Sequence, residues 1–66
     1  MVALAQHLRQ WRKEHGYTQQ QMADFLVVHR TSYTKYEAGA VEPPLATLCR
    51  MADLLGCTTD KLLGRK

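Results

Sequence analysis

The placement of glycine and proline constrains this 66-residue chain more than any other feature. Gly16, Gly39, Gly56 and Gly64 each follow a stretch whose apolar residues recur at helical spacing. A helix ends readily where glycine supplies a left-handed residue just past its last turn. Pro43 and Pro44, the only prolines, stand together ahead of another periodic stretch. Proline is tolerated there because the N–H it lacks has no partner in a helix's first turn. No segment alternates apolar and polar residues over the length of a strand. The punctuation predicts an all-α chain of five short helices forming one domain over residues 1–66, with no repeat or linker.

At about 100° per residue, a first helix over roughly residues 2–15 aligns Leu4, Leu8, Trp11 and His15 in one stripe. Arg12 borders that stripe, while Arg9 and Lys13 point elsewhere. Thr18 with Gln21 three residues on forms a capping-box pattern, and Tyr17 is placed as a hydrophobic staple. They predict a second helix over about 19–26 that buries Met22, Phe25 and Leu26, with Ala23 allowing close contact. A third helix, about 30–37, sets Tyr33 and Tyr36 on one side. Arg30, Thr31, Thr34 and Lys35 cover an arc of about 140° on the other. A fourth, about 45–55, gathers Leu45, Leu48, Cys49, Ala52 and Leu55 on a common face. Thr58 or Thr59 then caps a last short helix through Lys61, Leu62 and Leu63.

Composition closes off several functions. A chain this short buries only about 60% of its unfolded surface, so its core is modest. The content is 45% hydrophobic and 23% charged, too apolar for a disordered chain. No apolar run approaches the ~20 residues of a membrane-spanning helix, and the start Met-Val-Ala-Leu-Ala lacks signal-peptide character. A cytoplasmic protein with no membrane partner is expected. Cys49 and Cys57 are too few for a disulfide scaffold and, with His7, His15 and His29, offer no metal-ligand spacing. They read as two buried or half-buried thiols in a reducing compartment, with no metal and no cofactor. Glu14, Asp24, Glu37, Glu42, Asp53 and Asp60 are scattered without a catalytic pair. No nucleophile–base set or phosphate-cradling glycine loop accompanies them, so catalysis and a small-molecule ligand are not expected. The net charge of +3 suits a polyanion partner, as it suits any mildly basic surface.

The second and third helices are joined only by Val27-Val28-His29. So short a connection forces a sharp crossing, the geometry of a helix-turn-helix, whose second helix fits a DNA major groove. The outer face of the third helix carries donors and acceptors and no carboxylate, so phosphates are not repelled.

The run from Leu4 to Leu63 resembles the Cro and phage-repressor type of helix-turn-helix domain. The residues that carry the likeness are Leu8-Arg9-x-x-Arg12, Tyr17-Thr18-Gln19, Met22-Ala23 and Tyr33-x-x-Tyr36-Glu37-x-Gly39, followed by Glu42-Pro43-x-Leu45-x-x-Leu48-x-x-x-Ala52-x-x-Leu55-Gly56. The resemblance implies a lambda-repressor-like bundle of five helices that binds double-stranded DNA as a homodimer and regulates transcription, with repression favoured. It assigns base reading to Arg30, Thr31, Thr34 and Lys35, and phosphate contacts to Gln19 and Ser32. It also pairs Arg12 with Glu37 in a structural ion pair, and sets Leu62 and Leu63 at a dimer contact. His29, where serine or threonine is usual, either caps the third helix weakly or meets a phosphate. His7 is expected at the surface, and His15 beside the favourable end of the first helix dipole. Val27 stands where the family usually has glycine, so the turn either takes another conformation or tolerates strain. The rival to DNA binding is an antitoxin-like or other protein-interaction module on the same fold.

Overall fold

The computed structural model describes residues 2–64. Its elements are α1 (Val2–His15), α2 (Gln19–Leu26), α3 (Arg30–Ala38), α4 (Leu45–Leu55) and α5 (Thr59–Leu62), with no strand among the described residues. Leu4 and Leu8 of α1, Met22, Ala23 and Leu26 of α2, Tyr33 and Tyr36 of α3, Met51 and Ala52 of α4, and Leu62 of α5 share one core. Burial of each large apolar side chain contributes about 1.5–3 kcal/mol. Both α1 and α2 pack directly on α3, so the third helix is held from two sides.

The helix ends show why the chain breaks where it does. Thr18 accepts from the Gln21 N–H while the Gln21 side chain accepts from the Thr18 N–H, a complete capping box. Tyr17 packs on the core and lies edge-on to Phe25, ring centroids 5.0 Å apart. Thr58, rather than Thr59, caps α5 through the Lys61 N–H. At Gly64 an added Cβ would come within 3.1 Å of the Ala3 Cβ, so glycine lets the end of α5 close on α1.

Val27 adopts the left-handed conformation itself, at φ 57° and ψ 47°. The N–H groups of Val27 and Val28 bond back to the Asp24 and Ala23 carbonyls, the closure a glycine would make there. The turn therefore keeps its geometry under strain, at a cost of about 1–3 kcal/mol for a residue other than glycine.

Several expectations need correction. Phe25 is 46% exposed, because Met22, Ala23 and Leu26 fill the buried side of α2 and leave the ring to cover Tyr17. The buried face of α4 is rotated toward Thr47 and Met51, which leaves Leu45 74% exposed and Cys49 on the outside. Cys57 is half-buried. Arg9 does not point away from the fold: its guanidinium donates to the Glu37 carbonyl at the end of α3. His7 is no free surface residue, since its Nδ1 lies 2.7 Å from the Leu62 carbonyl and ties α1 to α5. His15 is exposed, stacks on Trp11 at 4.0 Å and reaches the Trp11 carbonyl through Nδ1. Leu62 is 1% exposed. It is consumed by the core of its own chain and is not available to a dimer contact, whereas Leu63 is only half-buried.

Candidate nucleic-acid interface

Rotation of α3 about its axis decides what it shows. Tyr33 and Tyr36 face the core, and Arg30, Thr31, Thr34 and Lys35 are exposed and line one shallow surface. The only carboxylate of the helix, Glu37, is 3% exposed. The outer face thus carries two cations and two hydroxyls with no negative group among them. A major groove about 12 Å wide admits one such helix.

The back of α3 is clamped. Arg12 donates from Nε to Glu37 Oε2 at 2.7 Å and from Nη2 to Oε1 at 3.0 Å, a two-pronged ion pair, and from Nη1 to the Tyr17 carbonyl at 3.2 Å. The side chains are 17% and 4% exposed, so the pair is largely shielded from water. The hydrogen bond to Glu37 raises the Arg12 pKa against its own desolvation. Burial pushes the Glu37 carboxyl up, but contacts with Arg12, Tyr33 and Gln19 outweigh it and hold the net value below the ordinary one. The Tyr33 hydroxyl is buried against this pair without meeting a partner in hydrogen-bond geometry. Burial first, and the Glu37 carboxylate second, push its pKa far up, so it stays neutral.

The start of α2 meets this clamp. Gln19 is half-buried; its Nε2 donates to Glu37 Oε1 at 3.4 Å, and its Oε1 accepts from the Thr34 hydroxyl at 3.3 Å. Gln19 is therefore wired into α3. It also lines an open depression with Arg12, Tyr17, Thr18, Gln20 and Arg30 beside the first turn of α2. The capping box uses the N–H groups of Thr18 and Gln21; those of Gln19 and Gln20 have no intrahelical partner by rule. Such a helix start favours an anion. His29 occupies the N-cap of α3 in extended conformation, exposed and making no side-chain cap bond, so the capping alternative falls. Ser32 is half-buried.

Among the predicted residues, Arg30, Thr31, Thr34 and Lys35 share one surface, Gln19 adjoins it, and Arg12 and Glu37 meet behind it. Two links were missed from the sequence. The helical count turns Arg9 away from the buried stripe, although the carbonyl end of a helix attracts a cation from any neighbouring element. The Gln19–Thr34 bond depends on the crossing of α2 and α3, which no single-helix count gives. Among the described residues, no group of three His, Cys, Asp or Glu side chains is placed to hold a metal ion. None of their helices is long and apolar enough to cross a membrane.

Comparison with known proteins agrees with this geometry. A family model described as helix-turn-helix matches residues 8–62. Over 58 residues the chain is 48% identical to YonR, the SPbeta prophage-derived uncharacterized HTH-type transcriptional regulator of Bacillus subtilis, covering 88% of this chain and 54% of that protein. It is 40% identical over 64 residues to RstR, the cryptic phage CTXphi transcriptional repressor of Vibrio cholerae, covering 97% and 57%. The crystal structure of a transcriptional regulator from Listeria innocua superposes with a TM-score of 0.88 at 30% identity, over 96% of this chain and 59% of that one. The chain spans about half the length of the curated relatives it matches. It belongs to the Cro/phage-repressor type of helix-turn-helix family, a family of DNA-binding domains and not of enzymes.

Proposed function

We propose that residues 1–66 form one DNA-binding domain that regulates transcription by reading a specific duplex sequence, with α3 seated in the major groove. One observation carries the reading: Arg30, Thr31, Thr34 and Lys35 stand exposed on one face, free of carboxylates, while Tyr33, Tyr36 and Glu37 lock the other. In that seat Arg30 and Lys35 bond guanine O6 and N7, and Thr31 and Thr34 contact a base edge. Gln19, Ser32 and His29 meet phosphates, fixing register without carrying sequence information. Two copies bind an inverted repeat whose half-sites lie about one helical turn, ~34 Å, apart. With Leu62 inside the core, their contact falls to Leu63 and its neighbours. The site is then occluded and the promoter repressed, a reading supported by the repressor among the relatives. A DNA partner calls for a cytoplasmic setting, in keeping with two free cysteines.

The test is binding to duplexes selected from a random pool, measured by anisotropy across a range of salt. Neutralised phosphates release counterions, so log affinity should fall linearly with log salt. Arg30→Ala and Lys35→Ala should each weaken specific binding by about 1–3 kcal/mol and relax the preference at one base position. Gln19→Ala should weaken all sequences alike. A flat salt response, or full affinity and selectivity in both cation variants, would favour a protein-docking module and overturn the proposal.

A further inference from the structure

The geometry points to Thr34 reading its base as a hydrogen-bond acceptor, selecting adenine or cytosine on the strand it faces; this rests on α3 lying in a major groove, as proposed above. A threonine hydroxyl carries one proton and two lone pairs. Thr34 Oγ1 lies 2.9 Å from the Arg30 carbonyl oxygen and 3.3 Å from Gln19 Oε1. Both neighbours are acceptors, so whichever holds the proton, it is engaged inside the protein.

The orientation of Gln19 follows from the clamp behind it. Its amide nitrogen faces Glu37 Oε1 at 3.4 Å, and Arg12 holds that carboxylate in place. Turning the amide over would set its oxygen against a carboxylate oxygen, two acceptors with no proton between them. The amide oxygen is thereby kept toward Thr34. The bond to the Arg30 carbonyl, four residues back, is also one that stabilises a threonine rotamer in a helix. Thr34 consequently turns only lone pairs outward.

In the major groove adenine offers its N6 amino group and cytosine its N4 amino group, whereas guanine O6 and thymine O4 are acceptors. A lone pair set against O6 or O4 repels. To serve guanine or thymine as a donor, Thr34 would have to give up its internal bond.

The experiment selects duplexes from a random pool with the wild type, Thr34→Ser and Thr34→Val, and then measures affinities for single-atom-group variants of the winning duplex. Purine replaces the selected adenine, or pyrimidin-2-one the selected cytosine, which removes the amino group alone. The wild type and Thr34→Ser should enrich the same base pair at one position. Thr34→Val should lose that preference by about 3- to 10-fold, the range of one hydrogen bond, and keep the others. Removing the amino group should weaken the wild type by a similar factor and leave Thr34→Val unmoved. An amino-group deletion that leaves the wild type's affinity unchanged, or an unchanged preference in Thr34→Val, overturns the inference while leaving DNA binding intact. A wild type with no salt-dependent duplex binding would overturn the DNA-binding reading and the inference with it. Thr34 is exposed on its helix, and coincident thermal melts check that both variants fold.

Discussion

Replacing Arg12 with methionine isolates what the clamp contributes. Methionine keeps much of the side chain's length and removes three hydrogen bonds, two to Glu37 and one to the Tyr17 carbonyl. The Glu37 side chain stays behind at 4% exposure, with a long contact to Gln19 and a burial that by itself raises its pKa. The carboxyl then has two routes. Remaining ionised strands a buried charge, at about 3–5 kcal/mol. Taking up a proton at pH 7, against an ordinary value of 4.5, costs about 3.4 kcal/mol at roughly 1.36 kcal/mol per pH unit. The cheaper route caps the loss, at about 3–3.4 kcal/mol at neutral pH. A domain of 66 residues holds roughly 3–10 kcal/mol in total, so the variant forfeits a large share. The pH dependence has a definite sign. In the wild type the folded-state pKa of Glu37 is lowered, so the stabilisation is present above the ordinary value and is lost as pH falls through the folded one. In Arg12→Met burial, the largest single influence on that carboxyl, should raise its pKa, so the penalty is absent at low pH and grows as pH rises past the ordinary value. Both trends shrink the gap between the two proteins from about pH 7 to about pH 4. Urea denaturation followed by circular dichroism at the two pH values measures the gap. A loss below about 1 kcal/mol at neutral pH, or a gap that does not move with pH, would refute the clamp as drawn.

Three further outcomes are expected. Val27→Gly should stabilise the chain by about 1 kcal/mol, since left-handed strain exceeds the entropy glycine loses, and a side chain already 75% exposed returns little by burial. In thermal unfolding that is a rise of about 4–8 °C for a domain of this size; a lower midpoint would contradict the strain. His7→Ala should speed amide exchange across Thr59–Leu62 and leave the core of α2 and α3 protected, because the His7 side chain ties α1 to α5 at the Leu62 carbonyl. Leu62→Ala should cost about 2–5 kcal/mol as a cavity in the core, while Leu45→Lys should stay within about 0.5 kcal/mol; equal losses would restore the face of α4 first read from the sequence.

Much of the fold was legible because four of the five helices are followed by a glycine. The capping box at Thr18 and Gln21 starts α2 at the predicted residue, and Gly39 and Gly56 close α3 and α4 in left-handed conformation. The inward tyrosines of α3 were legible because they stand at positions i and i+3, nearly one turn apart. Helical counting fails where two helices compete for one space. It buried Phe25 and Leu45, since an apolar residue near the right angle looks like core until neighbours fill the volume. The resemblance sets Leu62 at a dimer contact, and a four-residue helix has too short a period to show that its leucine turns inward. The candidate site was legible as a set of outward residues on α3. Its wiring was not, because the bonds among Arg9, Arg12, Gln19, Thr34 and Glu37 join three helices.

Amide and side-chain NMR shifts recorded while a selected duplex is titrated into the labelled protein test the central claim most directly. The largest changes should fall on Arg30, Thr31, Thr34 and Lys35, with a second set at Gln19, and all should fade together as salt is raised. Changes centred instead on the exposed Leu45 and Cys49 side of α4, with α3 unmoved, would contradict the account.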